Sequence, residues 1–180
     1  MLIAREKKKS NIAEYILYMW QVEDMLRGFG LDMERIKTQF IRHFQVDEKT
    51  ADQVYDWYEN LVEMMKKEKV QSSGHLQILK NEVAELTELH FHLLHQVHDL
   101  RYQQLVTRAA ANLVDFRSKS QAGEEISDVE LALNALYAHW MLKLQKREIH
   151  PQTANAMETF SNMIAYLASR YKKMEEEDTL

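Results

Sequence analysis

Histidine is the residue type best suited to chemistry in this chain, and it is concentrated in one stretch. Five of the eight histidines fall between His75 and His98, in a segment whose apolar residues recur every three or four positions, as they do in a helix. Because each residue turns a helix by about 100°, one face of it would carry four polar residues: Glu88, His92, His95 and Asp99. Two imidazoles and two carboxylates on one face are a donor set for a divalent metal such as zinc.

The same four residues also suit a plain solvated face. Glutamate with histidine, and histidine with aspartate, stabilise a helix surface when they lie four positions apart, and one straight helix seldom supplies more than two ligands to one ion. A di-iron centre is excluded, because no histidine here has a glutamate three positions before it, as ferritin-like sites require. Metal binding and an exposed polar surface therefore stay as alternatives.

Two ionisable residues interrupt apolar stripes instead of lying opposite them. Glu23 falls within the stripe of the first helix, and His90 falls within the stripe of the histidine-rich helix. A buried charge is costly unless it is paired, so we expect each residue to make a polar contact inside the core, with the other or with Arg27 or Arg147. The two residues are also the candidates for lining a ligand pocket.

Other catalytic and binding classes have no support in the residues. The chain has no cysteine and only four glycines, which removes thiolate chemistry and leaves no glycine-rich loop to cradle a phosphate. No serine stands in a Gly-x-Ser-x-Gly setting. The sequence therefore predicts neither a catalytic residue nor a bound cofactor other than the possible metal.

Charge and hydropathy limit the partners. Four of the five net negative charges come from Glu175 to Asp178, so the rest of the chain is nearly neutral. This disfavours nucleic-acid binding, which needs a concentrated basic surface, although Arg5 and Lys7 to Lys9 form a small basic cluster. No stretch approaches the ~20 apolar residues of a membrane span, and no secretory apolar segment opens the chain. We expect a cytoplasmic protein with no membrane partner.

The breakers of the chain divide it into helices. The single proline, Pro151, and the glycines fall between stretches of helical periodicity, which predicts an all-α fold with six or seven helices in one irregular bundle. Asp32, Asp47 and Ser127 are predicted N-caps, and Pro151 suits the first turn of the last helix. The first helix is expected to run to about Arg27.

Two parts of this division are less determined. The apolar pattern changes phase near residues 99–101 without a glycine or proline, so residues 75–117 form either one kinked helix or two helices. Core positions before this point are predicted to include Leu93, Val97 and Leu100. We expect residues 1–171 to make a single domain and residues 172–180 to be a charged, disordered tail.

Several segments resemble an uncharacterised family of small all-helical bacterial proteins, a domain of unknown function of the Bacteroidetes type. The segments that carry the resemblance are Met1 to Lys9, Asn11 to Tyr15, Tyr18 to Asp24, Trp57-Tyr58, Glu63 to Met65, Gly74 to Gln77, Lys80-Asn81, Leu136-Tyr137, Leu144 to Lys146, Ile149 and Pro151. The resemblance covers nearly the whole chain. It implies a cytoplasmic bacterial helical protein, and it carries over no activity and no catalytic residue.

The wide apolar stripes predict a function based on contact with another protein. We therefore expect a non-enzymatic helical interaction module that binds a protein partner or self-associates. The alternative is a small-molecule- or metal-binding protein that uses Glu23 and His90 in the core, or the four polar residues of the histidine-rich helix at the surface.

Overall fold

The protein is all-helical in its computed structural model, which describes residues 2–178. Within that range there are eight α-helices and a short 3-10 helix at Ile41–His43. The α-helices are α1 (Leu2–Ser10), α2 (Ile12–Gly28), α3 (Met33–Gln39), α4 (Glu48–Lys67), α5 (Gln77–His95), α6 (Leu100–Ser120), α7 (Asp128–Leu144) and α8 (Pro151–Asp178). The all-α prediction is confirmed, and the helix count is higher than the predicted six or seven.

The predicted helix starts are confirmed by their hydrogen bonds. The carboxylate of Asp32 accepts from the backbone amides of Glu34 and Arg35 at the start of α3. Asp47 and Ser127 accept in the same way at the starts of α4 and α7. Each side chain satisfies a backbone N–H that has no partner within its helix.

In the described part of the chain two helices lie between residues 2 and 28, and the second of them, α2, ends at Gly28, close to the predicted end at about Arg27. Asn11 is not helical, and its side-chain oxygen accepts from the backbone amide of Ala13 at 3.1 Å. Asparagine competes for backbone hydrogen bonds in this way, so it ends α1 and starts α2 with no glycine or proline between them.

Residues 75–117 contain two helices. α5 ends at His95, and α6 begins at Leu100. His98 between them has a φ of 52°, in the left-handed region, and Asp99 caps α6 by accepting from the amide of Tyr102 at 3.0 Å. Because α5 stops before them, Val97 and Leu100 do not extend its apolar stripe, and they are 47% and 73% exposed.

The segment that we predicted as a disordered tail is helical as far as it is described. α8 continues to Asp178, and Lys172 lies 3.8 Å from Glu176 one turn later. Lysine and glutamate have high helix propensity and pair well at this spacing. Residues 179 and 180 of the predicted tail lie outside the described residues.

The helices group into two compact units, which meet in sequence within α5. Among the described residues, the first unit takes in residues 2–9 and 14–81, and the second takes in residues 10–13 and 82–178. The core of the first unit includes Ile16, Leu26, Ile36, Met65 and Leu76, all fully buried. Within it, α3 and the 3-10 helix pack on α4.

The second unit is built on three helices that pack against one another, α6, α7 and α8. Its largest fully buried side chains include Leu93, Tyr102, Leu131 and Phe160. No helix in residues 2–178 combines the length and the hydropathy needed to cross a membrane.

Candidate functional site

Glu23 lies in the first unit and holds the loop that leads into α5. Its side chain is only 1% exposed. One carboxylate oxygen accepts from Nδ1 of His75 at 2.6 Å, and the other accepts from the backbone amide of Leu76 at 2.8 Å. The imidazole of His75 stacks on the indole of Trp20, with ring centres 4.4 Å apart. The buried carboxylate is therefore hydrogen-bonded at both of its oxygens.

Arg27, one turn after Glu23 on α2, holds the same loop by its carbonyl groups. Its guanidinium donates to the backbone oxygens of Val70 and Gly74 and to the carboxylate of Asp24. Gly74 has a φ of +82°, a backbone conformation that glycine adopts at little cost. We predicted Arg27 as a possible partner of Glu23. Instead, Glu23 accepts from a backbone amide of this loop, and Arg27 donates to two of its backbone carbonyls.

His90 belongs to the second unit and has its partner there. Its Nδ1 lies 2.8 Å from the hydroxyl of Tyr102, and the two side chains are 5% and 0% exposed. Burial lowers the pKa of His90; the charge of Asp128 opposes this shift, and His95 adds to it. Glu23 and His90 thus lie in different units, and each has hydrogen-bond partners within its own unit. Both contacts lock neighbouring segments of the chain in place.

Asp99 links the start of α6 to α8 in the second unit. Its second carboxylate oxygen accepts from the hydroxyl of Tyr166 at 2.8 Å, and Nε of Arg170 lies 4.0 Å away. Burial acts to raise the pKa of Asp99, but the hydrogen bonds from Tyr102 and Tyr166 and the charge of Arg170 outweigh it and leave the pKa below its ordinary value. Asp99 therefore remains a carboxylate and serves as a joint between two helices.

The predicted metal-binding face is not assembled. Because α5 ends at His95, Asp99 belongs to the cap of the next helix and not to the face that carries the other three. His92 donates from Nδ1 to the amide oxygen of Gln96 at 2.8 Å, and the ring of His95 stacks near Phe91. In residues 2–178 no three histidine, aspartate or glutamate side chains are grouped so as to hold a metal.

An open groove runs between α5 and α8 and includes two of the predicted residues, Glu88 and His92. It has a volume of about 490 Å³. Its lining residues are Glu85, Glu88, Leu89, His92, Gln96, Tyr171, Met174 and Glu175. A smaller pocket of about 150 Å³ shares Leu89, His92 and Met174 with it. The lining is mixed: Leu89, Met174 and Tyr171 supply its apolar part, and the three glutamates supply its charge.

The outer face of α6 is the second surface feature of this unit. Leu100 and Val114 are 73% and 71% exposed, and Thr107 lies midway between them, one heptad from each. Gln104 and Ala111 are also exposed and fall on the same face of the helix. Leu100, Ala111 and Val114 are the apolar part of this face, and the polar residues Gln104 and Thr107 lie between Leu100 and Ala111.

One buried ionisable residue, Glu82, was not predicted to lie in the core. Glu82 of α5 is 5% exposed, and it stands three residues after Leu79 and four before Leu86, both of which are fully buried. That spacing places it in the apolar stripe, so the periodicity contained the signal.

These features define an all-helical protein in which buried Glu23 and His90 join segments of the chain, with an open groove between α5 and α8 and an exposed face on α6. A family model described as a domain of unknown function, DUF4924, matches residues 1–178. The chain belongs to this family, which confirms the resemblance to a helical domain of unknown function. Comparison with curated proteins and with solved structures gave no match.

Proposed function

We propose that this protein is a non-enzymatic interaction module that self-associates through the outer face of α6. The observation that carries the proposal is the exposure of Leu100 and Val114, at 73% and 71%. Burial of apolar surface releases about 25 cal/mol per Å², so covering both side chains favours association. The setting that we propose is the cytoplasm of a bacterial cell, which the family resemblance supports.

A second copy fits this face because the face is self-complementary. Leu100 and Val114 lie at equal distances along α6 from Thr107. Two copies of α6 packed antiparallel about a two-fold axis near Thr107 would place each Leu100 against the other copy's Val114. Such an isologous pairing closes on itself as a dimer.

Charges on one edge of the face agree with this pairing. Arg101 follows Leu100 and Asp115 follows Val114, and both are exposed. Antiparallel packing about the same axis would bring Arg101 of each copy beside Asp115 of the other. Each such exposed pair contributes about 0.2–1 kcal/mol, which adds orientation more than affinity.

The area of one helix face sets the expected strength. Interfaces that bury less than about 1,200 Å² in total are typical of weak or transient complexes. We expect a dimer with a dissociation constant in the micromolar range or above, whose population rises with protein concentration.

Sedimentation velocity over a range of concentrations tests the proposal. The unaltered chain is expected to shift from monomer towards dimer, and Leu100→Glu or Val114→Glu should keep it monomeric at every concentration. Ile78→Glu is the matched control, because Ile78 is an exposed apolar residue of α5, 43% exposed, that lies outside the α6 face. A monomer at all concentrations, or equal effects of the three substitutions, would refute the proposal.

A further inference from the structure

The groove between α5 and α8 has the size and lining of a small-molecule site. Its volume of about 490 Å³ lies within the range of about 300–1,000 Å³ that ligand pockets occupy. The apolar part of its lining is formed by Leu89, which is buried, and by Met174, which is 42% exposed. The aromatic ring of Tyr171 also lines it. An apolar chain laid on this floor would be removed from water.

The charged rim of the groove has one sign. In the described chain its charged lining residues are the three glutamates Glu85, Glu88 and Glu175. The hydroxyl of Tyr171 donates to Glu85 at 2.7 Å. Burial raises the pKa of this tyrosine, and its hydrogen bond with Glu85 and the charges of Glu85, Glu175 and Glu82 raise it further. Three carboxylates, with no lysine or arginine among the described residues that line this groove, favour a positively charged ligand.

We infer that the α5–α8 groove binds a small organic cation that carries an apolar chain, of the alkylamine class. The ammonium group would lie among the rim carboxylates, where charge-assisted hydrogen bonds are about twice as strong as neutral ones. The chain would lie on Leu89 and Met174. The smaller pocket shares both residues but is also lined by Arg170 and Lys173, whose positive charges repel an ammonium group. We therefore assign the ammonium group to the part of the larger groove that is lined by the three glutamates.

The polar lining suits the same class of ligand. Since His92 uses its Nδ1 proton on Gln96, its other ring nitrogen in the neutral form is an acceptor. The groove therefore offers several hydrogen-bond acceptors: the carboxylates, this nitrogen and the amide oxygen of Gln96. An ammonium group offers three donors to match them. An anionic ligand would meet repulsion at the rim instead.

Titration with three six-carbon probes at neutral pH tests the inference. The probes are n-hexylamine, 1-hexanol and hexanoate, which share a chain and differ in head-group charge. The readout is the methyl NMR signals of Leu89 and Met174. We expect saturable shifts with hexylamine, at least tenfold weaker binding of hexanol and no binding of hexanoate. Equal affinity for hexylamine and hexanol, or shifts that do not saturate with hexylamine, would overturn the inference.

Substitution of the glutamates that line the groove is the second test of this inference. Glu88→Gln and Glu175→Gln are each expected to weaken hexylamine binding about two- to fivefold, the usual range for exposed charges. Glu63→Gln removes the same charge from an exposed position on α4 and should leave binding unchanged. If Glu63→Gln weakens binding as much as Glu88→Gln does, the effect is one of net charge and the assigned groove is wrong. Circular dichroism checks that each variant keeps its helices.

The readout is local to α5 and α8 and does not depend on association. The self-association proposed for α6 and the ligand site can therefore fail independently of each other.

Discussion

Among single residues, Glu23 is expected to stabilise the first unit through its contacts with His75 and Leu76. Glu23→Gln keeps one acceptor oxygen for the amide of Leu76 and turns an amide NH₂ towards Nδ1 of His75. That contact then survives only as a neutral bond, in which the amide donates and the imidazole carries its proton on Nε2. Hydrogen bonds to charged groups contribute about 1.5–3 kcal/mol and neutral ones about 0.5–1.5 kcal/mol, so we expect the free energy of unfolding to fall by about 1 kcal/mol. Urea denaturation followed by far-UV circular dichroism measures it.

Glu63→Gln provides the comparison for Glu23. It is the same chemical change at an exposed site on α4, where surface substitutions usually change stability by less than about 0.5 kcal/mol. If the two variants unfold at the same urea concentration, the contacts of Glu23 with His75 and Leu76 do not hold the loop.

His90 should make stability depend on pH, and the sign follows from its lowered pKa. Below about pH 6.5, the ordinary pKa of histidine, the unfolded chain binds a proton at this residue while the folded chain resists it. The free energy of unfolding therefore falls as the pH drops from 6.5 towards the lower pKa of the folded state. Above pH 6.5 the imidazole is neutral in both states, so this residue no longer makes stability depend on pH.

Two variants separate the titration of His90 from its hydrogen bond. His90→Gln cannot titrate, so urea denaturation across this pH window should show a smaller slope of stability against pH. Burial also lowers the pKa of His139. Because His139 still titrates in this variant, part of the slope should remain. Tyr102→Phe removes the hydrogen bond but keeps the imidazole, so it should lower stability while a slope persists. An undiminished slope in His90→Gln would contradict the prediction.

The sequence indicated that Glu23 and His90 interrupt apolar stripes, and both are buried, but it did not indicate their partners. His75 comes after a loop, and Tyr102 comes after a helix break. Helical periodicity describes neighbours within one helix only. Contacts across a loop or a break depend on tertiary packing, which spacing does not encode.

At the scale of elements, helix starts were readable and several helix ends were not. Asp32, Asp47 and Ser127 have side chains that cap, so their types announce a start. The ends often lack glycine: the residues in the left-handed region near them are Leu31, Lys69, His98, Gln121 and Lys146, with φ between 52° and 60°. Residues other than glycine are uncommon in this region. His98 therefore gives no sign in the sequence that α5 has ended.

The cap of α6 should be worth more than the cap of α4. Asp99 accepts from the amide of Tyr102 and also from the hydroxyl of Tyr166 on α8, whereas Asp47 bonds only within its own turn, to Thr50. We expect Asp99→Ala to lower the free energy of unfolding by about 1 kcal/mol for the cap and by about 0.5–1.5 kcal/mol more for the lost tyrosine bond. Asp47→Ala should cost less.

A double-mutant cycle checks this assignment by urea denaturation. Tyr166→Phe removes only the hydroxyl, so its effect should be smaller in an Asp99→Ala background than in the unaltered chain. Additive effects of the two substitutions would show that the bond between α6 and α8 contributes nothing measurable.

At the scale of the whole molecule, the family match covers both compact units, but the open surfaces that we assign to function lie in the second. In the first unit, Glu23 and Arg27 hold the loop that leads into α5. In the second, the break after His95 exposes Leu100 at the start of α6 and removes Asp99 from the predicted metal-binding face. The sequence left open whether residues 75–117 form one helix or two, and the break after His95 determines both the exposure of Leu100 and the composition of the candidate site.

The symmetry of the proposed dimer makes one further residue informative. Arg108 is exposed and stands next to Thr107, close to the expected two-fold axis, on the same edge of α6 as Arg101. Antiparallel pairing brings the Arg108 side chains of the two copies near each other, where like charges repel. Arg108→Gln should therefore strengthen association, and added salt should narrow its difference from the unaltered chain by screening the repulsion.

Arg101→Gln removes the same charge near Asp115 of the other copy and should weaken association. Sedimentation velocity at two salt concentrations compares the variants, and if both shift association in the same direction, the dimer is not the antiparallel pair about Thr107.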